Sequence, residues 1–223
     1  MPAYWDPSAD PDDWATLTST ASQVPLIAIM NPNSGPGSGP DTQYSDAIDA
    51  INTAGGSVVG YVHTSYGARP TADVESEIDD YFAWYNVQGI FFDEMANDAT
   101  SAHLSYYEEI ATYVRSNHPG STIIANPGAS FDEAFETNAV ADIFVDEEDV
   151  QTNVHAATQA PWEAGYPAST FAEMSLQTTG DVAEIAWLVA NRHAGWFYAT
   201  TLDYSPNPYS ALPSDFAESV SSL

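Results

Sequence analysis

The sequence predicts an α/β protein, a (β/α)8 TIM-type barrel of parallel strands, with residues 1–223 forming a single domain. Three observations carry this. Eight short apolar, β-rich runs recur along the chain, with helical patterns between them. The runs are continuously apolar rather than alternating, as strands buried on both faces are. Eight repeats in this length leave about 28 residues per unit, near the lower end for such a barrel.

The first run is Pro2 to Trp5 and the second is Leu26 to Met30. A helix follows in which Tyr44, Ile48 and Ile51 share one face, with Asp41 as N-cap and Gly55-Gly56 as the stop. The third run, Ser57 to Val62, precedes a stripe of Val74, Ile78, Tyr81, Phe82 and Tyr85. The fourth, Gly89 to Phe92, precedes Leu104, Tyr107, Ala111 and Val114, and Pro119-Gly120 ends that helix. The fifth and sixth are Thr122 to Ala125 and Asp142 to Val145; the seventh is Ser169 to Met174. Asp181 and Glu184 then form a capping-box pattern ahead of Val182, Ile185, Ala186 and Val189. The eighth run, Trp196 to Thr200, is followed by a short stripe of Phe216, Val220 and Leu223. Helices after strands one, five and six are expected to be short or irregular. A doubly wound open sheet is the structural alternative. No Gly-rich phosphate fingerprint supports it, because the Gly35 to Gly39 stretch carries prolines where backbone donors would be needed.

Composition limits the partners. The chain has 32 Asp and Glu against three Arg (Arg69, Arg115 and Arg192), no Lys, and a net charge of -29. That excludes a basic nucleic-acid binder or an anionic-membrane binder, both of which need clustered cations. With 44% apolar and 13% aromatic residues the chain has the material for a core, so it is not disordered. Carboxylates without basic partners repel one another, and at roughly 1 M salt the Debye length falls to about 3 Å, so the charge reads as adaptation to a high-salt milieu. A surface selected for a cationic partner is the competing reading. There is no Cys, and no apolar run long enough to span a membrane; the N-terminus lacks the pattern of a signal peptide.

In such a barrel the catalytic groups lie at the C-terminal ends of the strands. That rule selects Asn31, His63, Asp93-Glu94, Asn126, Asp146 to Asp149, Glu173 and Asp203. Asp93 and Glu94 follow directly on the buried run Gly89-Ile-Phe-Phe, where an acid is costly unless it works or is paired; a helix N-cap role is the alternative. The four acids Asp146-Glu147-Glu148-Asp149 contain a second candidate, although such a run is ordinarily a solvated loop. Two carboxylates facing each other across a cleft are what glycosidic cleavage requires, and the spacing of strands four and six permits either the retaining or the inverting distance. The five His show no metal-binding spacing. His63 follows strand three, while His103, His118, His155 and His193 are expected at the surface. No Gly-x-Ser-x-Gly elbow occurs.

At these residues the chain resembles the spherulation-specific family 4 (spherulin-4-like) proteins. The matching segments are Asn31-Pro-Asn-Ser-Gly-Pro-Gly37, Gly60-Tyr-Val-His-Thr-Ser-Tyr-Gly67, Gly89-Ile-Phe-Phe-Asp-Glu94, Asn126-Pro-Gly128, Ala141-Asp-Ile-Phe-Val leading to Glu148, and Asn207-Pro-Tyr-Ser-Ala-Leu-Pro213. The resemblance implies a (β/α)8 barrel related to microbial glycoside hydrolases that cut galactosamine-containing exopolysaccharides. It implies Asp93 as nucleophile, Glu148 as general acid/base and Glu94 as a neighbour that positions substrate or tunes a pKa. The family has an apolar residue before its strand-six Glu, whereas here Asp146 and Glu147 precede it, and a one-residue slip would make Glu147 the catalytic acid.

Under this reading Tyr66 and Tyr209 offer faces on which a sugar stacks, and Asn31, His63 and Asn126 hydrogen-bond hydroxyl or acetamido groups. Arg69 neutralises acids near the rim. The expected enzyme is a retaining, endo-acting glycosidase without metal or organic cofactor, a monomer, extracellular by resemblance, with a polysaccharide as partner. A non-catalytic polysaccharide-binding barrel of a cell surface or biofilm is the alternative from another class. A metal-dependent hydrolase or deacetylase, with a metal held by at least three of His63, Asp93, Glu94 and Glu148, is a third.

Overall fold

The computed structural model describes residues 1–205 and 207–221. Eight strands form one parallel sheet in sequence order: β1 (Pro2–Ala3), β2 (Ile27–Met30), β3 (Ser57–His63), β4 (Gly89–Asp93), β5 (Thr122–Ala125), β6 (Ile143–Val150), β7 (Phe171–Leu176) and β8 (Trp196–Ala199). Each is followed by a helix: α1 (Pro11–Ala21), α2 (Thr42–Thr53), α3 (Thr71–Trp84), α4 (Ser101–Asn117), α5 (Ala134–Thr137), α6 (Gln151–Ala156), α7 (Asp181–Asn191) and α8 (Phe216–Ser221). A doubly wound sheet reverses its strand order at a switch point, and this one does not.

Two apolar layers follow from the strand pleat. One face of the sheet packs Ala28, Val58, Ile90, Ile123 and Phe144 against the helices. The other turns Ile29, Val59, Phe91, Ile124, Val145 and Met174 toward one another, so the sheet is curled around a lumen.

Full closure of the hydrogen-bonded ladder, expected from the sequence, is not observed. Among the described residues β8 has no ladder to β1. The cause lies in β1, which is only two residues long and ends where Tyr4 turns its ring inward to meet Tyr61 and Tyr209. Across the seam the Tyr4 amide donates to the Tyr209 carbonyl at 3.2 Å, so the segment after β8 supplies the bond that a longer β1 would have made. Behind the seam is an apolar cavity of about 540 Å3 lined by Met1, Ile27, Ile29, Trp196, Tyr198 and Phe216.

Other boundaries differ in ways that bear on the site. The helix after β1 is not short: α1 runs 11 residues and buries Trp14, Leu17 and Ala21. Those after β5 and β6 are short, at 4 and 6 residues. Strand β6 extends through all four of its acids, which were expected in a loop. Strand β7 begins two residues late because Ser169 lies in a 3-10 turn, and it runs on to Leu176, so Glu173 lies inside the strand and not at its C-terminal end. The capping box of α7 does not form; Gly180 is the N-cap, and the Asp181 carboxylate accepts from the Thr178 hydroxyl. Asp41 does cap α2, accepting from the Gln43 amide at 2.8 Å. Leu223 of the last stripe lies outside the described residues. No described helix is long and apolar enough to cross a membrane.

Candidate active site

The C-terminal ends of β3, β4, β5 and β6 converge on two carboxylates. Asp93 is the last residue of β4 and pairs in register with His63, the last of β3. Beyond them the chain is pinned. The Thr64 amide donates to the Asp93 carbonyl at 2.9 Å, and the Thr64 hydroxyl lies 2.8 Å from the Glu94 carbonyl. The buried Tyr107 hydroxyl of α4 meets that hydroxyl at 3.0 Å and accepts from the Ala96 amide at 2.9 Å. These bonds hold three residues in the left-handed region without glycine: Ser65 (φ 49), Tyr66 (φ 56) and Glu94 (φ 52). Such strain persists where the surroundings over-determine the backbone, and here it clusters at the strand ends of one face.

Asn126 follows β5, its amide bound to the Phe92 carbonyl at 2.8 Å. From there its side-chain nitrogen reaches both acids. It donates to Asp93 Oδ1 at 2.8 Å and to Glu148 Oε2 at 2.5 Å, so those oxygens lie no farther apart than the two bonds end to end. Each acid has a second donor. Tyr61 Oη donates to Asp93 Oδ2 at 2.7 Å, and Tyr209 Oη donates to Glu148 Oε1. Tyr4 stands between the two phenols, edge-on to each, with centroids 5.5 Å from Tyr61 and 5.4 Å from Tyr209. Burial, reinforced by the neighbouring carboxylates, pushes both Tyr61 and Tyr209 well above the usual phenol range and keeps them as donors.

Glu148 rather than Glu147 meets this cluster because of a β-bulge. Ile143 and Val145 face the lumen, so regular alternation would send Glu147 there next. On the β7 side, however, Val145 pairs with Ala172 and Glu147 with Glu173, leaving Asp146 as an extra residue. On the other side Gly128 donates to the Val145 carbonyl and accepts from the Glu148 amide, at 3.2 and 3.1 Å, three residues apart instead of two. The bulge turns Glu148 inward. Burial raises the Glu148 pKa above the ordinary carboxyl value and the charge of Asp93 raises it further, while the bonds from Tyr209 and Asn126 oppose the rise.

The remaining expected site residues are distributed differently. His63 and Glu94 lie beside the pair, with His63 Nδ1 3.3 Å from Ser65 Oγ and 3.7 Å from Glu94 Oε2, both side chains half-exposed. Tyr66 is 62% exposed at the rim, beside a small pocket with Met95, Asn97, His103 and Pro127. The Asn31 side chain is occupied in holding its own loop, accepting from the Gly35 amide at 3.0 Å. Arg69, expected to neutralise acids near the rim, pairs with one acid, Glu77, and donates to the His63 carbonyl. Asp203 is exposed and accepts from Gln177. Of the four other His, His155 is exposed as expected and stacks on Trp187, while His103, His118 and His193 are partly buried: His118 stacks on Phe82, His103 meets Asp98, and His193 meets the Tyr166 carbonyl. Among the described residues no group of three or more His, Cys, Asp or Glu is arranged to hold a metal ion. Tyr61 and Tyr4 were not foreseen. The available signal for Tyr61 was its place two residues before His63, on the same face of β3.

A sequence model of spherulation-specific family 4 matches residues 1–223. The chain belongs to that family. Within spherulation-specific family 4 it is 38% identical over 176 residues to Spherulin-4 of Physarum polycephalum, covering 74% of this chain and 51% of that protein. The chain thus spans about half the length of that relative. Its fold is similar to the crystal structure of Aspergillus clavatus Sph3 in complex with GalNAc, with a TM-score of 0.84, 24% identity, and coverage of 100% of this chain and 94% of that chain. More distant likenesses are a GH18 chitinase from Pseudoalteromonas aurantia (TM-score 0.59, 14% identity, 100% and 99% coverage) and alpha-galactosidase I from Mortierella vinacea (TM-score 0.60, 7% identity, 98% and 70% coverage). This member of spherulation-specific family 4 therefore has a glycoside-hydrolase-like barrel fold.

Proposed function

We propose that the protein is a retaining, endo-acting glycoside hydrolase that cleaves a galactosamine- or N-acetylgalactosamine-containing polysaccharide with Asp93 and Glu148. The observation that carries this is the single Asn126 nitrogen touching both carboxylates, at 2.8 and 2.5 Å. Retaining enzymes hold their two carboxyls roughly 5–5.5 Å apart, whereas inverting enzymes leave room for a water at about 6.5–9.5 Å.

Asp93, ionised and steadied by Tyr61 and Asn126, attacks the anomeric carbon while Glu148 gives its proton to the leaving oxygen. The glycosidic bond breaks as the Asp93–sugar ester forms. Glu148, now a carboxylate, takes a proton from water, whose oxygen displaces Asp93 and regenerates both groups. The raised pKa of Glu148 suits the acid step, and the Tyr209 hydrogen bond suits its return as base. Neither carboxylate is neutralised by an arginine, since Arg69 pairs with Glu77, Arg115 with Asp142, and Arg192 with Asp146 and Glu173. Glu94 and His63 stand at the rim of the pair, placed to hydrogen-bond substrate, and exposed Tyr66 offers a ring face. The Asn126 side-chain oxygen Oδ1, buried and unpartnered among the described residues, is an acceptor for a substrate N–H or O–H. Amino-sugar substrates are favoured by family membership and by the GalNAc complex of Sph3.

The assay is release of reducing ends from amino-sugar polymers at high salt. Asp93→Asn and Glu148→Gln are each expected to lower turnover by about 1,000-fold or more. Wild-type turnover by both variants overturns the proposal, as does binding of the polymer without turnover by the native protein.

A further inference from the structure

Of the three arginines only Arg192 is buried, and it lies behind the carboxylate pair rather than in it. Its Nε donates to Glu173 Oε1 at 2.7 Å, one terminal nitrogen lies 3.4 Å from Asp146 Oδ2, and the other donates to the Ala157 carbonyl at 3.1 Å. Gln159 Nε2 bridges the same two acids at 3.2 and 3.3 Å, and Gln159 Oε1 accepts from the His193 amide at 2.7 Å. Asp146 is 1% exposed and Glu173 is 0% exposed. Buried carboxyl groups are costly unless paired and hydrogen-bonded, so this guanidinium and amide fix where Asp146 can go.

Asp146 is also the extra residue of the β6 bulge. Resting on the glycosidase reading above, we infer that Arg192 and Gln159 are positioning residues that clamp Asp146 behind the sheet and thereby select Glu148, not Glu147, as the acid facing Asp93. In a chain where acids occupy four consecutive positions, the charge pattern alone does not distinguish them. A register slip of one residue would exchange Glu147 for Glu148. The clamp makes one register cheaper by giving Asp146 a cationic partner that the slipped strand would abandon.

The test compares a substitution with a deletion at the same position. Asp146→Ala removes the grip on the bulge but leaves Arg192 paired with Glu173. The expected result is a fall in kcat of about 100-fold with KM little changed, and a crystal structure with the Glu147 carboxylate on Asn126. Deleting Asp146 instead leaves a regular ladder in which Glu148 is two residues from Val145 and still faces the lumen. Its kcat is expected within about threefold of the native value. A general structural role predicts the reverse order, because a deletion within a central strand should harm more than an alanine. Native kcat in Asp146→Ala with Glu148 still on Asn126 overturns the inference, as does a deletion as inactive as Asp93→Asn. Should Asp146→Ala fail to fold, Arg192→Lys, which keeps the charge but loses the fork, decides by the same crystallographic criterion. If the native protein hydrolyses no polymer, the functional proposal fails by itself, while the side-chain positions in the variants still judge the clamp.

Discussion

Glu148 is held by two donors that favour its ionised form, and burial and Asp93 work against them. That balance gives a prediction with a definite sign. The acid step needs Glu148 protonated, so activity falls as pH rises through its raised pKa. Tyr209→Phe removes a hydrogen bond to the carboxylate form; the pKa rises further, and the alkaline limb of the kcat/KM profile is expected to move to higher pH. An unmoved limb contradicts the assignment of Glu148 as the acid. Tyr61→Phe acts on the partner and is expected to lower kcat by about tenfold without moving that limb, because its bond is to Asp93. Asp93 and Asn126 were legible as strand-end residues, but Asn126 bridges the two carboxylates, and Tyr209, expected as a stacking face, has a buried ring whose hydroxyl donates to Glu148. Tyr4 and Tyr61 were not legible, since each reads as an ordinary aromatic in a buried strand until the seam brings them together.

At the level of elements, the β6 acids show where sequence patterning stops. Asp and Glu are depleted in strands, so four in succession read as a loop. Here they lie in a strand because Asp146 has Arg192, Glu148 has Tyr209 and Asn126, and Asp149 accepts from the Asn153 side chain at 2.9 Å. None of those partners is close to β6 in sequence except Asn153. The helix stripes were legible for the opposite reason: Val74, Ile78 and Tyr81 satisfy a local period, and all three are fully buried. Two strand glycines define how closely α3 and β5 approach. A methyl group at Gly60 would meet the Tyr81 ring at 2.5 Å, and one at Gly89 would meet the Thr122 carbonyl oxygen at 2.0 Å. Gly60→Ala and Gly89→Ala are each expected to destabilise the protein by about 2 kcal/mol, with Gly89→Ala the worse because backbone yields less than a ring. Urea denaturation followed by circular dichroism measures this; variants as stable as the native protein would contradict the packing.

For the whole molecule, charge and burial act in separate places. With 32 acids against three arginines, most carboxylates are surface groups without cationic partners, and the melting temperature is expected to rise by several degrees from about 0.1 to about 1 M KCl. A salt-independent melting temperature removes the high-salt reading. The buried acids give a distinct dependence. Burial raises Glu173 to about 8 against the guanidinium's pull, and raises Glu147 and Glu163 to about 7, from an ordinary 4.5. Between those values the folded chain holds more protons than the unfolded one, so stability falls as pH rises. At constant high salt the melting temperature is expected to decline from about pH 5 to about pH 8, and Glu173→Gln is expected to flatten that decline.

The central claim is that Asp93 and Glu148 act together at the retaining distance. It is tested most directly by proton NMR of the sugar released in the first minutes of hydrolysis of an amino-sugar polymer, before mutarotation. The account predicts that the new reducing end first carries the anomeric configuration of the bond that was cut; first appearance of the inverted anomer would contradict it.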